Sequence, residues 1–378
     1  MNVRPYVSEI DGVRGFLSLV VLLAHLNPLN PAWILWAHAS MDAFFCISGF
    51  VITRILLSHL GRPGFYRSYL ARRALRIWPM YYVGLLFAAT VFFLLGVKDP
   101  RTGSEIAWTP HWYEVVLPFV FLQNTEGYFS ANSFAYLPLF NHSWSVAIEE
   151  QYYFLWPLLL PVFFGGRSLT FRVMLLALAL SLSFAFRVSG WSALLLLSRL
   201  DGFIFGGCLA YWEVRRHYFA ANAFRWLWVI PVAFVTPQVM SAYGLAEVAL
   251  SPLIRKIVFD QTFWFALLTC ALLGFCIFAN PAESRRNLLV RLLNLPVLRH
   301  LGVISYSTYI LHVPIVFSIV PYLTEQFGLP AWSRYPLGIF GSVGLAHLTY
   351  KAIEWPMLRL KDRYEYSGKM GGVARPVV

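Results

Sequence analysis

The chain has 378 residues, of which 58% are hydrophobic, 17% aromatic and only 13% charged, against roughly 25% charged in an average soluble domain. So little polar material cannot cover a soluble protein of this length, which excludes an ordinary soluble enzyme, a disordered chain and a coiled coil, and predicts an all-α polytopic membrane bundle. The basic balance, 30 Lys and Arg against 18 Asp and Glu, comes with no compact basic and aromatic module, so it predicts arginine-rich cytoplasmic loops rather than a nucleic-acid partner.

A crossing helix needs about 20 apolar residues. Ten segments qualify: 12–29, 34–59, 74–96, 142–163, 168–188, 193–213, 223–240, 261–280, 303–322 and 334–358. Glu9, Asp11 and Arg14 precede the first apolar run and no small-residue cleavage site follows it, so a retained span is expected rather than a signal peptide. The stretch 112–122 is apolar but short, and reads as a re-entrant or interfacial helix. With the N-terminus inside, the inner segments hold 21 Lys and Arg and the outer loops 6. That imbalance predicts an N-in, C-in topology. The long loop at about 97–141, with Asp99, Glu105, Glu114 and Glu126, then faces outward. Residues 1–360 read as one membrane domain and 361–378 as a short basic cytoplasmic tail.

Ionisable groups within spans are costly, so each is a functional candidate. Arg14 and His25 are eleven residues apart. Eleven steps of about 100° end about 20° from the starting direction, so the two share a helix face, separated along the axis by about 16 Å. A permanent cation near the inner interface suits a phosphate, and an imidazole deeper in suits proton transfer. A snorkelling arginine and a core histidine fit the same spacing. Asp42, on the second segment, is a weaker candidate, as are Arg199 and Asp201, read as a possible pair within the sixth.

The run from Phe65 to Pro79 carries Arg72, Arg73 and Arg76, at i,i+3 and i,i+4 spacings that bring guanidinium groups onto one face. Such a fork suits phosphates, or equally a headgroup anchor. Ser145 and Glu149 are i,i+4 at the opening of the fourth segment. Glu149 and Glu150 are adjacent, so at least one carboxylate must point into the bundle, where it can orient an imidazole or make a polar helix contact. Ser305, Tyr309 and His312 share a face of the ninth segment, and His347, Lys351 and Glu354 one of the tenth, where Lys351 and Glu354 read as an ion pair. Cys46, Cys208, Cys270 and Cys276 lie in apolar runs and read as small core residues. No metal-type spacing, phosphate loop or nucleophile elbow is present, and no metal is expected.

Taken together these stretches resemble the membrane acyltransferase family 3, the ten-span O-acyltransferases of bacterial envelopes. The resemblance rests on Ile10-Asp-Gly-Val-Arg-Gly15 with Arg14 and His25, on Phe44-Phe-Cys-Ile-Ser-Gly-Phe50, and on Arg73 and Arg76 before Pro79. It continues through Trp144 to Tyr152 with Ser145 and Glu149, the Ser305–Pro314 stretch, and Glu354-Trp-Pro356. Each motif is short; their order and spacing make the match. The resemblance implies a stand-alone acyltransferase in the bacterial inner membrane, with acetyl-CoA as donor and a carbohydrate hydroxyl, lipid-linked in some members, as acceptor. It implies His25 as the catalytic residue and Arg14 as its donor-side partner. It places Arg73 and Arg76 at the CoA entrance and Glu149 in the same polar core, where Ser145 joins the donor-binding set.

The expected chemistry is direct attack of the hydroxyl on the thioester with His25 as base, Glu149 or Asp42 steadying the imidazolium. A route through transiently acylated His25 fits equally. A transporter or flippase of a glycan or lipid-linked intermediate is the competing class. Against it, no pair of Gly/Pro-broken segments occupies matching positions in two halves.

Overall fold

The computed structural model describes residues 6–99, 102–128, 137–164, 168–189, 194–215, 229–242, 260–278 and 287–364. The start of the seventh predicted segment (223–228), the Glu126 side chain, and Arg4, Arg101, Arg167, Arg216, Arg225, Arg255, Lys256, Arg285 and Arg286 lie outside them, as does the tail from 365 with Lys369 and Arg375. Among the described residues the chain is helical, with no strand beyond an isolated bridge between Lys98 and Glu105.

The helices are α1 (Ser8–Leu26), α2 (Pro31–His59), α3 (Phe65–Leu95), α4 (Trp112–Val116), α5 (Trp144–Phe164), α6 (Leu169–Val188) and α7 (Leu200–Arg215). Then come α8 (Val229–Ala242), α9 (Gln261–Phe278), α10 (Leu288–Leu293), α11 (Pro296–Val303), α12 (Ser305–Gln326), α13 (Arg334–Thr349) and α14 (Trp355–Leu360). Every predicted segment overlaps a helix. Of these, α2, α3, α6, α9 and α12 are long and apolar enough to cross a membrane. Helices α1 and α5 fall short of that standard because they carry Glu9, Asp11 and Arg14, and Glu149, Glu150 and Gln151. The stretch 112–122 folds as α4 plus a 3₁₀ turn at Leu117–Val120, its start capped by Glu114, whose Oε2 accepts the His111 backbone N–H at 2.9 Å.

Local chemistry sets the helix boundaries. Asn30 caps α2, its side chain accepting from Ala32 N at 3.0 Å, and Pro31 fills a position that needs no donor. Pro157 and Pro161 lie inside α5 and deprive the carbonyls four residues earlier of their helical donors. Two tyrosines of α3 supply replacements: Tyr69 donates to Tyr153 O at 3.2 Å, and Tyr66 reaches Pro157 O at 3.5 Å. Helix α12 passes through a π turn at Ile315–Ile319, just after Pro314, and a second π turn at Tyr350–Glu354 joins α13 to α14.

Close seams fix the helices that carry the polar residues. Helix α2 packs along α7 and α1 along α11. A Cβ on Gly15 would lie 2.0 Å from Leu298 O, and one on Gly206 would lie 2.0 Å from Cys46 O. Only a hydrogen fits at either place, so these glycines set backbone-to-backbone contact. The main core, with Phe45, Ile52, Tyr69, Tyr81, Phe140, Trp156 and Phe203, lies between α2, α3, α5 and α7. Large apolar side chains such as Leu86, Phe93, Leu94, Leu158 and Met174 are exposed on α3, α5 and α6, a surface suited to lipid rather than water.

Candidate active site

Two cavities lie back to back in the bundle. One, of about 250 Å³, is lined by Arg14, Arg73, Arg76, Ser48, Ser145, Glu149, Tyr153 and Ser305 among apolar neighbours. The other, of about 630 Å³, is lined by His25, His38, His142, Asn141, Trp144, Lys98 and Asp99. Met41 and Tyr309 line both. Four elements run along the pair. On α1, Ile10 and Arg14 face the first cavity, Val21, Ala24 and His25 the second; on α12 the sequence is Ser305, Tyr306, Tyr309, Val313, Phe317. Arg14 and His25 thus share a helix face, as their spacing predicts, but open into different chambers.

In the arginine cavity, Arg14, Arg73 and Arg76 come together, and no ion pair or hydrogen bond among the described residues ties their guanidinium groups. Arg73 lies over the Tyr153 ring, 5.9 Å from its centroid. Three such cations around one cavity form a receptor for a polyanion. Opposite them, Glu149 accepts from Ser48 Oγ at 2.7 Å and from the Tyr153 hydroxyl at 3.1 Å. Its neighbour Glu150 points elsewhere and accepts from Trp78 Nε1 at 3.1 Å. Ser145 shares Glu149's helix face but pairs with the Tyr309 hydroxyl at 2.7 Å. That hydroxyl also donates to His142 O, so Tyr309 is held from two sides.

In the histidine cavity, His25 Nδ1 lies 2.8 Å from Val21 O. A carbonyl can only accept, so Nδ1 carries the hydrogen and Nε2 of the neutral ring keeps its lone pair. His312 is fixed in the same way, its Nδ1 donating to Tyr309 O at 2.7 Å. Its Nε2 therefore faces His25 Nδ1 as an acceptor, at 3.2 Å. The ring of His142 completes the group, edge-on to His312 with centroids 5.1 Å apart. The arrangement leaves His25 with one anchored and one basic nitrogen, the state that general-base catalysis requires.

Several sequence expectations are corrected here. Asp42 lines neither cavity and does not steady His25: it is buried against Arg199 Nη1 at 2.5 Å. Arg199 also donates to Thr262 Oγ1 at 2.8 Å and lies over Trp144. Arg199 and Asp201 do not pair, because residues two apart leave a helix in different directions. Asp201 instead pairs with Arg187 at 2.8 Å, which also holds Asp260 at 2.7 Å. Arg72 does not join the guanidinium fork: its Nη1 donates to the carbonyls of Lys361 and Tyr364. Lys351 and Glu354 separate across the π turn, Lys351 exposed, Glu354 buried and bonded by Ser307 Oγ. His347 meets His300 Nε2 at 3.1 Å.

Ser48, Tyr153 and His142 stand within or beside the quoted motifs, but their places in the cavities show only in the structure, as do those of Met41 and His38, each one helical turn from a residue singled out by spacing or motif.

The acyltransferase domain model matches residues 7–351. The chain is 27% identical to the peptidoglycan O-acetyltransferase OatA of Listeria monocytogenes over 94% of its length and 56% of the relative's. It is 27% identical to O-acetyltransferase OatA of Staphylococcus aureus, covering 93% and 57%. The putative peptidoglycan O-acetyltransferase YrhL of Bacillus subtilis is 26% identical, covering 93% and 55%. The chain thus spans a little over half the length of these relatives. No solved structure matches it. With the domain match running from the start of α1 into the last π turn, and both cavities inside it, the chain belongs to the acyltransferase domain family.

Proposed function

We propose that the chain is an inner-membrane O-acyltransferase of ten spans, N-in and C-in, that moves an acetyl group from acetyl-CoA to a hydroxyl of an envelope carbohydrate. The observation that carries this reading is the pair of cavities. Among the described residues, a chamber with three arginines that no ion pair ties meets a chamber with a tautomer-fixed histidine, and Met41 and Tyr309 line both. The peptidoglycan named for two of the relatives supports a glycan acceptor of that kind.

In this reading Arg14, Arg73 and Arg76 take the phosphates of CoA from the cytoplasmic side, and the thioester end extends towards Met41 and Tyr309. Glu149 offsets the charge of Arg14 and Arg76 and keeps that cavity polar. The acceptor hydroxyl enters the outward cavity against His25. His25 Nε2 removes its proton as the oxygen attacks the thioester carbonyl. The C–O bond forms, the C–S bond breaks, and the proton passes from His25 to the departing thiolate. The Val21 carbonyl, with His312 Nε2 beside it, holds His25 Nδ1 throughout, so the same nitrogen takes and returns the proton.

The test is release of CoA by purified protein in detergent, with acetyl-CoA and a crude envelope-glycan extract. Wild type should release CoA only when the extract is present. His25→Ala should lose about 10²- to 10⁴-fold, the usual worth of a general base, without a change in thermal unfolding. A well-folded His25→Ala protein that releases CoA at the wild-type rate would refute the assignment. Mass analysis of wild type after acetyl-CoA alone distinguishes direct transfer, with no added acetyl group, from acylated His25.

A further inference from the structure

If the acyl group starts in the arginine cavity and reaches a hydroxyl held at His25, something between the chambers must yield. Met41 and Tyr309 line both cavities, and they are held very differently. The Tyr309 ring is anchored through its hydroxyl to Ser145 and His142. Its own helix is locked as well: the next residue, Ile310, sits so close to α3 that a Cβ on Gly84 would lie 1.9 Å from Ile310 Cγ2. Met41 carries no polar group that could tether it. It is unbranched, with three rotatable bonds, and can fill or vacate a gap without moving its backbone.

The position of Met41 along α2 makes it the crossing point. His38 and Ile34, one and two turns before it, face the histidine cavity; Phe44, Phe45 and Ser48, one and two turns after it, face the arginine cavity. The stripe is continuous at helical spacing, so α2 presents one path with a single thioether lying across it. The backbone beneath is fixed, since Asp42, the next residue, is paired to Arg199.

We propose that the Met41 side chain is the movable partition between the donor and acceptor chambers, and that its bulk sets the length of acyl chain that can pass. This rests on the acyltransferase reading above. A two-carbon acyl group passes when the thioether swings aside; each added methylene must occupy space that Met41 fills. Tyr309 forms the fixed opposite jamb.

The experiment compares acyl transfer from acetyl-CoA and butyryl-CoA to the glycan extract for wild type, Met41→Ala, Met41→Val and Tyr309→Phe. The readout is the ratio of kcat/KM for the two donors, which a general loss of folded protein does not move. Met41→Ala should raise the butyryl-to-acetyl ratio at least 10-fold, and Met41→Val should raise it less. If Met41→Ala does not fold, the Val variant alone reads the direction. Tyr309→Phe loses the hydroxyl anchor but keeps the ring, and Ile310 still locks the helix against Gly84, so the ratio should stay within about 2-fold of wild type. Wild-type transfer with ratios unchanged in both Met41 variants, or a ratio that moves only in Tyr309→Phe, overturns the partition and leaves the acyltransferase reading standing. A wild-type protein that transfers neither acyl group overturns both.

Discussion

Asp42→Asn tests whether this buried carboxylate supports the fold or takes part in chemistry. Asp42 and Arg199 are almost wholly buried, and their charged atoms lie 2.5 Å apart. Removing one member of such a pair leaves an uncompensated charge and costs about 3–5 kcal/mol. Arg199 keeps its bond to Thr262 and its place over Trp144, so the lower end, about 3 kcal/mol, applies here. At about 2 °C per kcal/mol for a chain of this size, the unfolding midpoint in detergent should fall by roughly 6 °C. Asp42→Asn combined with Arg199→Gln removes both charges and should recover at least half of that loss, a coupling that distant residues would not show. Turnover per folded molecule should stay within about 10-fold of wild type, because Asp42 reaches neither cavity. An Asp42→Asn protein with an unchanged midpoint and a 100-fold loss of turnover would refute this reasoning and return Asp42 to the chemistry.

Arg76→Gln removes a charge-assisted contact worth about 1.5–3 kcal/mol; KM for acetyl-CoA should rise about 10- to 100-fold with kcat little changed, and steady-state kinetics that show the reverse split would count against donor binding. Gly206→Val forces α2 and α7 apart, since even a Cβ would sit 2.0 Å from Cys46 O; overpacking of this kind costs about 1–3 kcal/mol or more, visible as a lower unfolding midpoint. His300, on α11 outside the predicted spans, is held below the usual histidine range by burial, with His347 and Lys351 adding to the effect. The folded state therefore binds fewer protons than the unfolded chain below about pH 6.5, and stability present above that pH is lost as it falls. Unfolding midpoints between pH 7.5 and 5.5 should drop more for wild type than for His300→Asn, and equal drops would contradict the assignment.

The sequence made faces legible and left partners hidden. Helical spacing put Arg14 with His25, Ser145 with Glu149, and Ser305 with Tyr309, and each pair does share a face. Spacing within one helix says nothing about the helix opposite, so Asp42 with Arg199, and Arg187 with both Asp201 and Asp260, could not be read. Charge type is no better guide: Arg187, at the end of the predicted segment 168–188, spends its guanidinium on two buried carboxylates. The Lys351–Glu354 error has a different origin. The rule that residues three apart are neighbours holds for an α-helix, and the π turn at Tyr350–Glu354 widens the spiral until it fails. Gly15, in the Ile10–Gly15 stretch that carries the family resemblance, is a place where two backbones touch.

The distance along α1 explains why two chambers are needed at all. In the proposed reading a CoA thioester brings several negative charges, which fixed guanidinium groups would bind at any physiological pH. A general base must be neutral when the hydroxyl arrives, and a guanidinium beside it would oppose the imidazolium that forms. Three helical turns, about 16 Å, keep Arg14 from His25 while holding both on one rigid element. Glycine contacts against Leu298 and Leu293 hold that element in place. In that reading the acyl group, small and uncharged, is the part of the donor that would cross between the two environments. The partition proposed at Met41 and Tyr309 would meet that electrostatic demand: it would pass the acyl group and keep phosphate and guanidinium on their own side.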